Sequence, residues 1–339
     1  MGRIALELLL RRIILAIPIL ICVSALIFIL LRLVPADPVA MSLPPGSSQA
    51  DYEAMRRALG LDRSIPEQYW IWISSLLRGD FGTSVFFRRP VMDLVATALP
   101  ATVELVVFSL VVGTLLGIGG GMLMFAWRGT VGEQVLDLGT TAIMAVPEFL
   151  WAILLILFLG VAVPLLPFIG RLDPTVSLPP AVTGFLLLDS IITGRPDVLG
   201  SALTHMVLPV IALSIGLAPL IMRVLRSSLI ETIMEDYITQ ARLRGLSERQ
   251  IILHHALKNA ALPTISLIGV QGGFMFGGTV LVEMIFAYPG LGNLMVDAVR
   301  NHDLPVVQIV GLVYCVLVLA INAVVDVIYL AANPRLRMA

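Results

Sequence analysis

The chain has 339 residues, 58% of them hydrophobic and 13% charged, with a formal net charge of −1 and a mean hydropathy of +0.97. A soluble domain carries roughly 25% charged residues, so this composition excludes an ordinary soluble core and selects a membrane protein. The near-zero net charge excludes a broad nucleic-acid surface, and Cys22 and Cys315, both inside apolar runs, exclude a disulfide framework or thiolate metal site.

A bilayer crossing takes about 20 helical residues. The first run that meets this, 13–31, follows Arg11 and Arg12. It exceeds the roughly 7–15 residues of a signal-peptide core and no A-x-A site follows, so it is expected to stay as an anchor. The polar stretch after it predicts two short helices, one over 51–59 stopping at Gly60, and one over 66–77 ending at Arg78-Gly79. The second places Tyr69, Trp70, Ile73, Leu76 and Leu77 on one face, a pattern that suits interfacial seating or docking of a partner. Five more spans are expected at 100–127, 138–160, 198–222, 259–282 and 304–325. The run 174–188 is too short and is broken by Pro179-Pro180, so it is expected to be an interfacial or re-entrant piece on the outer side. The fold class is thus an all-α integral membrane protein with six transmembrane helices. Its parts are 1–33 (N-terminus and span 1), 34–99 (an outward helical loop) and 100–339 (a core of five spans).

Six spans put both termini on one side. Arg3, Arg11, Arg12, Arg128, six basic residues from Arg223 to Lys258, Arg335 and Arg337 share that side. The two short loops opposite hold only Arg171, Arg195 and Arg300. The positive-inside rule makes the richer side cytoplasmic, and the loop 34–99 is long enough to cross despite its arginines.

The cytoplasmic loop 223–258 is patterned. A helix is expected over 231–244, because Ile233, Tyr237, Ile238 and Ala241 recur at helical spacing. Gly245 stands where a residue of positive φ would end it. Ser247 and Gln250 then make a capping box for a second helix running through His255 and Leu257. Two short helices meeting at a glycine form a knob suited to a groove on another protein.

Here the sequence resembles a known family. The run Asp236-Tyr237-Ile238-Thr239-Gln240-Ala241-Arg242-Leu243-Arg244-Gly245-Leu246-Ser247, followed by His255 to Asn259 and Pro263, resembles the coupling loop of ABC importer permeases. Thr239 and Gln240 replace the acidic start of the general motif, as in the dipeptide, oligopeptide and nickel branch. This leaves Arg242, Arg244 or Glu248 to supply charge pairing. Four further blocks resemble the same branch in the same order. Leu59-Gly60-Leu61-Asp62 with Tyr69, Trp70 and Gly79-Asp80-Phe81-Gly82-Thr83-Ser84 comes first, then Pro100 to Leu105. Val282-Glu283-Met284-Ile285-Phe286 with Pro289-Gly290-Leu291-Gly292 follows, and Asn322, Asp326 and Tyr329 with Asn333-Pro334-Arg335-Leu336-Arg337 closes the chain.

The resemblance implies a type I ABC importer permease fold and the first permease of a heterodimeric pair in a bacterial inner membrane. It also implies a second homologous permease, two ATPase subunits that use ATP and magnesium, and an extracytoplasmic binding protein delivering di- or oligopeptides. Nickel or glutathione-type import by the same architecture is the alternative. The coupling loop would enter a cleft of the ATPase.

No G-x-x-x-x-G-K-[ST], G-x-S-x-G or H-E-x-x-H occurs, so neither an enzyme nor an ATP site is expected in this chain, and no bound cofactor or metal. His254 and His255 are adjacent rather than four apart, which excludes a helical zinc pair. An ion-coupled secondary carrier would show inverted repeats with broken helices, and none is visible in the sequence. A membrane scaffold without transport is disfavoured by four acids in or at the ends of spans: Glu104, Glu148, Glu283 and Asp326. Each should face the bundle or an aqueous path. Glu104 and Glu148 are candidates to line the path and meet a peptide's amino terminus; Glu283 and Asp326, at span ends, are expected to be structural. Glycines 113, 117, 119, 120 and 121, and 269, 272, 273, 277 and 278, are expected to let helices pack closely.

Overall fold

The computed structural model describes residues 2–33, 48–58 and 60–332. Residues 34–47, Leu59 and the closing run from Asn333 to Arg337, with the parts of the outer loop and of the family-like blocks they carry, lie outside the described residues. Helices α1 (Gly2–Leu33), α4 (Val91–Ala126), α8 (Pro196–Thr232), α10 (Glu248–Ile285) and α12 (Leu304–Ala332) are long and apolar enough to cross a membrane.

The expected third span departs from a single rod. It is a pair, α5 (Val131–Ala145) and α6 (Glu148–Ala162, π-helical from Ile156), bent by 98° at Val146-Pro147. The cause is local. Pro147 has no N–H to give the Ile143 carbonyl four residues back. That carbonyl accepts instead from Val146 N at 3.3 Å and from the Trp151 indole at 3.2 Å. The broken backbone is thereby satisfied without water, as a membrane interior requires.

Packing is tightest between α4 and α8. Gly113, Gly117 and Gly121 recur every fourth residue on α4. A Cβ there would lie 2.9 Å from Leu217, 2.5 Å from Ile221 and 2.9 Å from the Met222 carbonyl. The absent side chains let the two backbones approach, which is what drives helix association where no water is displaced. Gly269 and Gly272 do the same between α10 and α12, against Val325 and Ile321; Gly119 and Gly277 face open space, contrary to expectation.

One end of the bundle carries α9 (Asp236–Leu243), and the opposite end carries the remaining short elements. There, α2 (Gln49–Ala58) and α3 (Ile65–Leu77) follow α1, α7 (Leu186–Ile192) precedes α8, and α11 (Leu291–Arg300) precedes α12. The run 174–188 is irregular chain entering α7, not a span. It is tied down by its own polar groups. Asp189 accepts backbone N–H bonds from Val182, Thr183 and Gly184, and Gly170 N donates to the Phe286 carbonyl. Burial would push the Asp189 carboxyl up, but the Thr183 hydroxyl and those N–H donors hold it below its usual range.

Helix α3 packs on α1 through Tyr69, a member of the expected apolar face, and through Trp72, which lies outside it. The Tyr69 and Trp72 rings each lie 5.5 Å from Phe28, and the Tyr69 hydroxyl is 2.8 Å from Ser24 Oγ. Trp70 and Leu77 point away, 70% and 84% exposed.

Candidate functional site

The knob begins where α8 stops. The expected helix 231–244 is divided, because α8 runs on to Thr232 and a turn through Ile233, Met234 and Glu235 separates it from α9. The end of α9 follows the sequence. Gly245 adopts φ +80°, Gly245 N donates to the Arg242 carbonyl at 2.9 Å, and Leu246 N donates to the Ala241 carbonyl at 3.3 Å. This is the two-bond Schellman closure that a glycine permits. Ser247 and Gln250 form the reciprocal capping box, and the second helix proves to be the start of α10 itself, through a π-helical turn at Ile251–Ala256.

The knob is anchored from beneath. Ile238 and Ala241 are buried with Leu225 and Leu229 of α8, Phe125 of α4, and Ile251, Ala256 and Ala260 of α10. Full burial of one such Ile is worth about 1.5–3 kcal/mol, enough to hold an eight-residue helix that would not persist alone. The Asn259 amide donates to the Tyr237 hydroxyl at 2.8 Å. Arg242 and Glu248 pair with each other across Gly245 at 2.7 Å, so Arg244 alone of the three charges considered has no ion pair among the described residues. Thr239, Gln240, Arg242, Leu243, Arg244, Leu246 and Ser247 are exposed, and a Cβ on Gly245 would meet nothing within 4 Å. The knob is rigid underneath and open on top.

The four acids separate by environment. Glu104 is 7% exposed, ion-paired with Arg171, and accepts from Leu187 N at 3.0 Å. Arg171 also reaches the buried Tyr288 phenol, which burial pushes up to about 12. Glu104 thus ties α4 to the far-end segment. Glu283 is fully buried. It accepts from Thr102 Oγ1 at 2.7 Å, Gly292 N at 2.7 Å and Asn293 N at 3.2 Å, and so caps α11. This explains the P-G-L-G block: a Cβ on Gly290 would overlap the Glu283 carboxylate. Asp326 lies 2.5 Å from Arg12 Nε, an ion pair between α12 and α1 without hydrogen-bond alignment.

Glu148 is the exception. It is the first residue of α6, directly after the break, exposed, with no hydrogen-bond or ion-pair partner among the described residues. An unpaired charge at bilayer depth costs roughly 2.5–3.5 kcal/mol on insertion scales.

Three residues escaped the sequence reading. Arg171 was counted only for topology, although a lone base in a short loop beside a lone acid in the next span was the available signal. Asp303, fully buried, accepts from Ser84 Oγ at 2.5 Å and from Val85 N and Phe86 N, which accounts for the serine of the G-D-F-G-T-S block. Gly216 on α8, where a Cβ would overlap the Glu148 carboxylate, is marked by nothing in the sequence.

Among the described residues, five long helices and one broken pair, braced by buried carboxylates and bearing a knob with an exposed crown at one end, define a multi-pass membrane protein. The chain belongs to the family described as binding-protein-dependent transport system inner membrane component, which matches residues 109–338; the N-terminal membrane component of such systems matches 5–106. It is 36% identical over 336 residues to the dipeptide transport system permease protein DppB of Escherichia coli strain K12, covering 98% of this chain and 99% of that one. It is 35% identical to the di/tripeptide permease DppB of Pseudomonas aeruginosa strain UCBPP-PA14 (96% and 97% covered). The glutathione permease GsiC of Escherichia coli strain K12 is 32% identical over the same shares. The inward-facing MetNI methionine ABC transporter matches with a TM-score of 0.55 at 18% identity, over 72% of this chain and 98% of that chain, which shows the type I importer fold alone. The protein is a permease subunit of an ABC importer.

Proposed function

We propose that this chain forms, with a second homologous permease, the path for di- and oligopeptides that an extracytoplasmic binding protein delivers. Both termini and the knob lie on the cytoplasmic side of a bacterial inner membrane. Two ATPase subunits bind ATP and magnesium and receive the knob; the chain itself hydrolyses nothing. The dipeptide, di/tripeptide and glutathione permeases among its relatives support the peptide class.

The observation that carries the coupling role is the knob's construction. Its exposed crown, Tyr237 and Thr239 to Ser247 less the buried Ala241, rests on a buried base shared by α8 and α10. Asp236 opens the helix and Gly245 closes it. A push on the crown therefore passes into two spans at once, which is how closure of the ATPases would turn the cavity outward.

Gly245→Val tests this. Valine at positive φ is strained by about 1–2 kcal/mol, while its side chain enters open space, so the permease should fold and co-purify with its ATPases. Uptake of labelled peptide into membrane vesicles should fall while ATP hydrolysis continues. Normal uptake would overturn the coupling role.

A further inference from the structure

The break in the third apolar stretch presents Glu148 to a notch made by two other spans. A Cβ on Gly216 of α8 would overlap Glu148 Oε1, and its three nearest atoms all belong to the Glu148 side chain; a Cβ on Gly278 of α10 would lie 2.9 Å from Oε2. Three helices thus meet at one carboxylate. Two of them contribute only the absence of a side chain.

The other membrane acids show how unusual this is. Glu104 and Asp326 have arginines, and Glu283 has Thr102 and two backbone N–H groups. Glu148 has no such partner among the described residues, yet it stays exposed within an apolar surface that includes Phe149, Leu150 and Ile153. An acceptor-only carboxylate kept open in apolar surroundings calls for a donor that arrives from elsewhere.

We propose that Glu148, framed by Gly216 and Gly278, is a cation-receiving site on the transport path that takes the primary ammonium group of the peptide substrate. This rests on the peptide-permease reading and narrows it to peptides with a free amine. An ammonium is a compact charge with three donors, which suits approach to a carboxylate whose own oxygens already fill the space the two glycines leave. The bend supplies the geometry. The first residue after the 98° turn is the one that meets both α8 and α10.

The test uses the assembled importer with its binding protein in membrane vesicles and a labelled dipeptide whose amine is free. Glu148→Gln should lower uptake about tenfold or more, the loss of one charge-assisted contact, and Glu148→Asp should recover part of it. Gly216→Ala, a change helices otherwise favour, should also lower uptake, because its methyl takes the space of the carboxylate. Unchanged uptake by Glu148→Gln or by Gly216→Ala overturns the site while leaving the permease reading intact. Failure of Glu148→Gln to co-purify with the second permease would show that the carboxylate holds a basic group of that subunit, and overturns it too. If the unaltered complex takes up no peptide at all, the peptide reading falls and this inference with it.

Discussion

Glu104 and Glu148 are the same side chain put to opposite uses, and the difference is whether a cation waits in the fold. Glu104 meets Arg171 in a nearly closed space where both charges depend on each other. Removing one partner of a buried pair strands the other, at about 3–5 kcal/mol. Arg171→Ala and Glu104→Leu should therefore each lower the thermal stability of the detergent-solubilised complex and the protein level in the membrane. Equal melting temperatures for wild type and Arg171→Ala would show that the pair is not a brace. Both acids were equal candidates from sequence, because distance along a span says nothing of what stands opposite. Glu283 was legible as structural for a cruder reason: it sits at a span end, and the glycines that follow it are the space its carboxylate fills.

At the scale of elements, local chemistry was legible wherever its signal was short-range. The Schellman end at Gly245 and the capping box at Ser247 came out as read, since both depend on residues within six positions of one another. The packing of α3 on α1 was beyond such signals. Tyr69, Trp70, Trp72 and Ile73 are crowded enough that helical spacing allows several apolar stripes, and contact with Phe28 and Ser24 of α1 selected the one holding Tyr69 and Trp72. Trp72→Ala should accordingly lower the melting temperature clearly, by loss of ring packing, while Trp70→Ala leaves it nearly unchanged. Equal effects would contradict this seating. The break in the third stretch was also within reach. Proline inside an apolar run of that length is a known kink signal, but Pro100, Pro209 and Pro219 sit inside helices that continue past them. At Pro147 the freed Ile143 carbonyl finds the Trp151 indole, a contact that the presence of the proline does not announce.

For the whole molecule, sidedness is the remaining test. In a background with Cys22 and Cys315 replaced by serine, a cysteine at Ser48 should react with an impermeant maleimide applied outside intact cells, and one at Ser247 should not. The opposite labelling would invert the orientation. The sequence by itself determined the class, the approximate positions of five spans, the knob and the family, because bilayer thickness, capping and glycine conformations act over short stretches of chain. The tertiary structure alone decided which acids are neutralised, which face of α3 is inward, and that the third apolar stretch turns Glu148 toward Gly216 and Gly278. Those outcomes join residues roughly 40 to 310 positions apart, and at that separation neither hydropathy nor periodicity records which side chain will stand opposite which.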